Sequence, residues 1–262
     1  MKYKRKTANK HSDTSESIAH ILNDNSDFNT VETYKSIRTN IMFSAPKQQD
    51  GGKVFAVSSA SPGEGKTTTC INIAITFAQM GARVIIVDGD LRKSRIHRYL
   101  GLPRLSGTSN VLCGYDSLEA AIKKDVRPNL DVLTSGEIPP NPAELLVSAE
   151  FSKMIEALRK IYDYVFIDTP PVTVVMDACV ILKHTDGVIL VSHQGVSTFD
   201  ALDITVENIK TVGAKIIGMI MLGCDDRSKG YGYYSKKSYS YRYGYTYSYS
   251  YNDNKENDTK SK

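Results

Sequence analysis

A glycine-containing turn, SPGEGKTTT at residues 61–69, constrains the fold of this chain more than any other feature, because it lies between an apolar run and a helical stretch. In such a turn the glycines bring backbone N–H groups close to phosphate oxygens, and the helix N-terminus adds its positive dipole end. Ala60 stands where the usual pattern begins with glycine, but the flanking strand and helix support a nucleotide site. Its predicted residues are Gly63, Glu64, Gly65, Lys66, Thr67 and Thr68. Lys66 is expected to reach the β- and γ-phosphates, and Thr67 to ligate Mg²⁺.

Short apolar runs without polar alternation predict strands that are covered on both faces. They lie at 54–57, 84–87, 164–167, 188–191 and 216–221, with a further strand predicted at 130–133. Helical stretches near 66–80, 150–161 and 198–212 separate them, which implies right-handed crossovers and parallel pairing. We therefore predict the α/β P-loop NTPase fold, a mostly parallel sheet flanked by helices. Ligands should bind at the loops after Val57, Val87, Ile167 and Met221.

Two further helix starts follow from capping patterns. Asn29 and Glu32 have the spacing of a capping box, and apolar residues at helical intervals extend this helix to about Phe43. Asn141 and Glu144 have the same spacing within SGEIPPNPAELL at 135–146.

Composition divides the chain into three parts. Polar residues 1–28 predict a mobile N-terminal arm able to order on a neighbouring subunit, 29–224 form the nucleotide-binding domain, and 225–262 form a flexible tyrosine-rich tail. The net charge of +4 is small and its basic excess lies within residues 2–10, where a solvated tail is favoured over contact with lipid or an acidic partner. No apolar run approaches the eighteen or so residues that span a bilayer, and no signal peptide is visible. The four cysteines form no C-x-x-C pair and indicate a reducing cytoplasm without a cysteine metal site.

Three aspartates follow buried strands at the same predicted sheet edge as the phosphate turn. Asp88 and Asp90 belong to VIIVDGDLRKS at 84–94, and Asp168 ends YVFID at 164–168. Carboxylates at buried strand ends are costly unless they face a metal ion or accept a proton. Together with Lys66 and Thr67 they predict phosphoryl transfer chemistry.

Ten of the sixteen tyrosines lie within residues 231–251. They are Tyr231, Tyr233, Tyr234, Tyr239, Tyr241, Tyr243, Tyr245, Tyr247, Tyr249 and Tyr251. Alternating tyrosine and serine is also typical of low-complexity sequence that self-associates. Beside a phosphate-handling site, however, a strip of phenolic hydroxyls is expected to serve as phosphoacceptor.

The motifs ASPGEGKTTT, VIIVDGDLRKS and VFIDTPP resemble the Walker A, A′ and B set of the bacterial tyrosine kinases, the BY-kinases. The segments GEIPPNPAELL and VETYKSIRTN resemble its capsule and exopolysaccharide branch, the cytoplasmic CapB and CpsD type of Gram-positive bacteria, over about residues 30–251. The resemblance implies transfer of phosphate from ATP to tyrosine. Asp88 then takes the acceptor's proton, Asp90 and Asp168 hold Mg²⁺ with Thr67, and Lys66 neutralises the transferring phosphoryl group. Arg92 could assist with charge, but a structural ion pair is favoured.

The resemblance also implies partners. These are a transmembrane activator of the polysaccharide co-polymerase type, which recruits the chain to the inner face of the membrane, a cognate phosphotyrosine phosphatase, and no nucleic acid. A ring-shaped homo-oligomer, by resemblance an octamer, is implied through a Glu-x-x-Arg-x-x-Arg helix motif, here Glu32, Lys35 and Arg38. Lys35 keeps the charge of arginine but loses its bidentate fork, which predicts a weaker contact.

One further departure and two rival functions accompany this interpretation. Gly223 stands where related ATPases often carry an adenine-contacting asparagine, which leaves selectivity for ATP over GTP less secure. One rival is a ParA- or MinD-like ATPase switch, but those proteins carry a signature lysine where this chain has Ser61. The other is a nucleotide-binding regulator without transfer activity.

Overall fold

The computed structural model of the chain describes residues 18–45 and 51–224. Its strands are β1 (Lys53–Ser59), β2 (Val84–Asp88), β3 (Lys123–Arg127), β4 (Leu130–Leu133), β5 (Tyr164–Asp168), β6 (Gly187–His193) and β7 (Ile216–Leu222). They form one sheet in the order β3-β4-β2-β5-β1-β6-β7. Pairing is parallel except between β3 and β4. The predicted α/β fold with a mostly parallel sheet is therefore confirmed.

Helices cover both faces of this sheet. They are α1 (Phe28–Ser44), α2 (Lys66–Gln79), α3 (Ile96–Tyr99), α4 (Thr108–Leu112), α5 (Leu118–Ala121), α6 (Pro142–Val147), α7 (Ala149–Ile161), α8 (Asp177–Leu182) and α9 (Phe199–Thr211). Strand alternation divides the core between the faces: in β1, Phe55 and Val57 pack with α2, whereas Val54 packs with α7 and Ala56 with α8 and α9. None of the helices within residues 18–45 and 51–224 is both long and apolar enough to cross a membrane.

The sheet edges differ from the sequence prediction. The short β3 was missed, because its sequence KKDVR has no apolar alternation and it pairs only with β4. The opposite edge strand, β7, was predicted to be covered on both faces, yet Met219 and Met221 are about half exposed. An edge strand with one neighbour needs fewer buried side chains than the central strands that its sequence resembles.

Both predicted capping boxes differ in detail. The cap of α1 is Asp27, whose side chain accepts from the Thr30 N–H, so the helix begins before the predicted Asn29. Asn141 precedes α6 as predicted, but its side chain donates to Glu144 Oε2 at 2.5 Å instead of capping a backbone N–H.

The described part of the predicted N-terminal arm packs on the domain. Ile21 and Leu22 are buried in the core, and Asn72 of α2 bonds to both the Leu22 N–H and the His20 carbonyl. Arg127 of β3 donates to the Leu22 carbonyl. The prediction of a mobile arm over 1–28 is therefore corrected for residues 20–22. Residues 1–17 and the tyrosine-rich residues 225–262 lie outside the described part of the chain.

Candidate active site

The phosphate loop joins the end of β1 to the start of α2. Gly63 and Gly65 adopt positive φ angles of 85° and 80°, a region that favours glycine. Gly65 precedes α2, and no side chain caps its first turn. The N–H groups of that turn therefore remain available for phosphate oxygens, and the helix dipole favours negative charge at the same place.

The side chains that begin α2 contact the end of β5. Thr67 Oγ1 donates to Asp168 Oδ2 at 2.7 Å, and Lys66 Nζ lies 3.9 Å from Asp168 Oδ1. Asp88 and Asp168 are register partners on the adjacent strands β2 and β5. The parallel sheet thus brings residues from three separate motifs to one edge.

Buried carboxyl groups dominate the electrostatics of this edge. Complete burial, followed by the negative charges of Asp168 and Asp90, raises the pKa of the Asp88 carboxyl well above its usual value. Burial also raises the pKa of Asp168, although Lys66 and the hydrogen bond from Thr67 act in the opposite direction. Asp88 Oδ2 and Asp168 Oδ1 are buried oxygens without a hydrogen-bond partner. Buried acceptor oxygens that lack a hydrogen bond are uncommon, and here they indicate a site that binds a cation or accepts a proton.

These residues fit a divalent ion whose remaining ligands come from the phosphates of a bound nucleotide. Hard cations such as Mg²⁺ take oxygen ligands and are often held by one or two carboxylates together with substrate phosphates and water. Within residues 18–45 and 51–224, no three His, Cys, Asp or Glu side chains form a complete metal cluster. Thr67 Oγ1 and the Asp168 carboxylate, which lie 2.7 Å apart, are oxygen donors of the kind that such an ion takes.

A cavity of about 370 Å³ opens in front of the phosphate loop. One wall is basic, with Arg92, Lys93 and Arg95, and the other is apolar, with Pro170, Pro171, Val174 and Val175. Thr68 and Asp90 also line it, whereas Asp88 is fully buried and is not among the lining residues. Asp90 Oδ1 accepts the N–H groups of Arg92 at 3.3 Å and Lys93 at 2.8 Å, so this carboxylate also shapes the loop after β2.

Arg92 makes an ion pair that the sequence did not locate. Its Nε and Nη2 donate to the two carboxylate oxygens of Asp177 at 2.6 and 3.2 Å. Asp177 is buried and begins α8, while the Arg92 side chain is 42% exposed. The pair joins the loop after β2 to the first turn of α8, as the structural interpretation of Arg92 predicted.

Glu64 differs from the other predicted nucleotide-binding residues, because its side chain turns away from the cavity. Its carboxylate accepts the Ser61 N–H and the Ser197 hydroxyl. No local motif marks Ser197 or Asp177, since each meets its partner only after the sheet has formed.

The predicted oligomerisation residues lie on α1. Glu32 and Lys35 form an i,i+3 ion pair of 2.7 Å, with both side chains nearly half exposed. Arg38 Nη1 donates to the Thr76 carbonyl of α2 at 2.7 Å, so this arginine is bonded within its own chain.

Gly223 follows β7 with a φ of +72°, and a Cβ there would lie 2.7 Å from the His193 ring. The imidazole therefore occupies the space into which an asparagine side chain would extend. The ten predicted phosphoacceptor tyrosines lie outside the described residues.

Comparisons with known proteins agree with this geometry. The model of the AAA domain family matches residues 52–219. The tyrosine-protein kinase YwqD of Bacillus subtilis is 40% identical over 207 residues, which cover 79% of this chain and 86% of the relative. The kinase domain of the Escherichia coli tyrosine kinase ETK superposes with a TM-score of 0.72 at 29% identity, over 79% of this chain and 80% of that one. The chimerical protein CapA2B2 gives a TM-score of 0.69 at 38% identity, over 72% and 83%.

The MinD alternative is not favoured by these comparisons. The septum site-determining protein MinD of Pyrococcus horikoshii, solved with Mg-ADP, gives a TM-score of 0.57 at 26% identity, over 65% of this chain and 70% of that one. The fold implies nucleotide binding with a divalent metal ion. With an AAA core across residues 52–219 and a relative named as a tyrosine-protein kinase at 40% identity, the chain belongs to the bacterial tyrosine kinases.

Proposed function

We propose that this tyrosine kinase uses ATP and Mg²⁺ to phosphorylate the tyrosines at 231–251 of a neighbouring copy of itself, and so regulates capsular or exopolysaccharide synthesis and export. The observation that carries the proposal is the meeting of Lys66, Thr67 and Asp168 at the phosphate loop, with Asp88 on the next strand. Related kinases of the CpsD name support the polysaccharide role. The Mg-ADP in the MinD structure supports the choice of nucleotide and ion.

Asp88 acts as the general base in this proposal. A tyrosine hydroxyl has a pKa near 10 and stays protonated at neutral pH, so it benefits from a carboxylate that accepts its proton. The unpartnered Asp88 Oδ2 can take that proton, and burial, which raises the pKa of this carboxyl, makes its ionised form a stronger proton acceptor. The tyrosine oxygen then bonds to the γ-phosphorus, the bond from that phosphorus to the bridging oxygen breaks, and ADP leaves.

Asp90, Asp168 and Thr67 would hold Mg²⁺, which when bound neutralises charge on the β- and γ-phosphates. Lys66, whose Nζ lies 3.9 Å from Asp168 Oδ1, would contact the same phosphates. The helix turn that it begins supplies uncapped N–H groups. The apolar wall of the cavity, with Pro170, Pro171 and Val174, suits an aromatic ring.

The position of Asp90 makes the division of roles testable. Asp90 lines the cavity, whereas Asp88 is fully buried and does not line it. If Asp88 is the base, Asp88→Asn should lower kcat strongly and leave the Kd for Mg-ATP nearly unchanged, whereas Asp90→Asn should weaken Mg²⁺ dependence. The reverse pattern would exchange the two assignments.

The proposed assembly is a ring, by resemblance an octamer, in contact with a transmembrane activator at the inner face of the membrane. Exposed Phe28 and Phe43 at the two ends of α1 support a contact surface along this helix, beside the exposed Glu32 and Lys35. A cognate phosphatase would reverse the modification. Each phosphotyrosine adds about −1.5 to −2 charges, so full phosphorylation should repel neighbouring tails and loosen the ring.

A mixing experiment tests transfer and its direction. Full-length Lys66→Met serves as the acceptor, and a full-length chain with all ten tail tyrosines changed to phenylalanine serves as the kinase, with Mg-ATP and the cytoplasmic segment of the activator. Label on the Lys66→Met chain supports transfer between copies. If this mixture stays unlabelled while wild-type protein assayed alone becomes labelled, transfer occurs within one chain. No label on any chain would favour the regulator without transfer activity.

A further inference from the structure

Glu64 is a buried carboxylate at a place where a triphosphate is expected to bind. It is 1% exposed and lies between the two glycines of the phosphate loop. A buried negative charge beside an anionic ligand is unfavourable unless hydrogen bonds offset its desolvation. Both of its oxygens do accept such bonds: Oε2 from the Ser61 N–H at 3.1 Å, and Oε1 from the Ser197 hydroxyl at 2.6 Å.

Ser197 lies in the loop between β6 and α9, and its hydroxyl is fully used. It donates to Glu64 and accepts from Ser192 Oγ at 2.9 Å and from the His193 N–H at 3.0 Å. The next residue, Thr198, caps α9. The Glu64–Ser197 bond therefore connects the phosphate loop to a segment 133 residues away in the sequence.

A second contact joins the phosphate loop to the same side of the sheet. A Cβ at Gly65 would lie 2.5 Å from Leu222 Cδ1, at the end of β7. The carboxylates of the reaction centre lie on the other side of β1, on β2 and β5. The loop is thus held between the reacting carboxylates and the ends of β6 and β7.

We propose that Glu64 is a positioning residue, which through Ser197 holds the phosphate loop ready for nucleotide and couples nucleotide binding to the β6–α9 loop, residues 194–198. It acts on the loop instead of touching the nucleotide. The inference rests on nucleotide binding by this site and adds to the proposed function a link between that binding and a segment outside the cavity.

A double-mutant cycle on the full-length protein tests the link, with the Kd for Mg-ADP as the readout. A hydrogen bond to a charged group typically contributes enough for a change of about tenfold or more when it is lost. We expect Glu64→Ala and Ser197→Ala each to weaken binding about tenfold, and the double variant to bind no more weakly than the weaker single variant. If the two single losses of affinity multiply in the double variant, the proposal is overturned.

Two matched variants separate the link from general damage to the fold. Ser197→Thr keeps a hydroxyl and should restore affinity to within about threefold of wild type. Ser192→Ala removes a donor to the same hydroxyl but touches no residue of the phosphate loop, so it should have a smaller effect than Ser197→Ala. Equal losses for Ser192→Ala and Ser197→Ala, or no rescue by threonine, would contradict the proposed role.

Hydrogen exchange supplies a readout that a purely structural role would not move. Because coupling between two sites is reciprocal, Mg-ADP should slow exchange at 194–198 in the wild type but not in Ser197→Ala at saturating nucleotide. At residues 88–92, at the end of β2 and in the loop that follows, Mg-ADP should slow hydrogen exchange in both the wild type and Ser197→Ala. Equal protection of 194–198 in both proteins would overturn the inference alone, whereas a wild type that fails to bind Mg-ADP would overturn the proposed function itself.

Discussion

Removing the Arg92 side chain tests whether this residue is structural or catalytic. Arg92 lines the cavity, yet its guanidinium is bonded to both oxygens of Asp177. Arg92→Ala leaves a buried carboxylate at the start of α8 without its cation. The loop after β2 also loses its connection to that helix.

The expected loss in the free energy of unfolding depends on how exposed the Arg92 and Asp177 side chains are. Truncating one partner of a fully buried pair costs about 3–5 kcal/mol, whereas an exposed pair is worth about 0–1 kcal/mol. Asp177 is 4% exposed and Arg92 is 42% exposed in their side chains, so this pair lies between the two limits. The dipole of the α8 N-terminus stabilises the unpaired Asp177 carboxylate by about 0.3–1 kcal/mol. We expect a loss of about 1–2 kcal/mol, which lowers Tm by about 2–8 °C for a domain of this size.

Thermal unfolding of the full-length protein without nucleotide measures this loss, and steady-state phosphorylation measures activity. Asp177→Asn and the double variant complete a cycle that isolates the pair, and Lys93→Ala serves as an exposed control on the same loop. A fall in kcat of a hundredfold or more with an unchanged Tm would refute the structural interpretation and assign Arg92 to the transferring phosphoryl group.

Three further predictions address other parts of the domain. Burial above all raises the pKa of Asp88, so the folded state binds this proton more tightly than the unfolded state. The tighter binding of this proton stabilises the folded state fully below about pH 4, and the stabilisation is lost as pH rises through the folded pKa. Because asparagine does not titrate, the Tm of Asp88→Asn should rise relative to that of the wild type as pH increases in nucleotide-free scans. A Tm difference that does not change with pH would contradict the shifted pKa. Leu22→Ala should cost about 2–5 kcal/mol in urea unfolding, against about 0.5 kcal/mol or less for exposed Ile18→Ala; equal effects would show that residues 20–22 do not pack on the core. Gly223→Asn should cost about 1–3 kcal/mol through the clash with the His193 ring, and adding His193→Ala should recover most of that Tm loss; no recovery would place the strain elsewhere.

The central strands were predictable because a fully covered parallel strand must be apolar along its whole length. The runs that became β1, β2, β5 and β6 carry this pattern, and the turn at 61–65 carries glycine where the backbone needs positive φ. Strands at the edges of the sheet are covered less completely, so their sequences need not be apolar along the whole length. Thus β3 was missed, and β7 is more exposed than its apolar sequence suggested.

The sequence by itself determined the central strands β1, β2, β5 and β6, the phosphate turn and the three aspartates, because each depends on residues close together in the chain. Only the tertiary structure decided what those residues contact. Asp88 faces Asp168 because β2 and β5 are neighbours, although 80 residues separate them in the sequence. Arg92 bonds to Asp177 across 85 residues, and Glu64 to Ser197 across 133. Pattern and propensity act over a few residues, whereas hydrogen bonds and burial depend on which surfaces the folded sheet brings together.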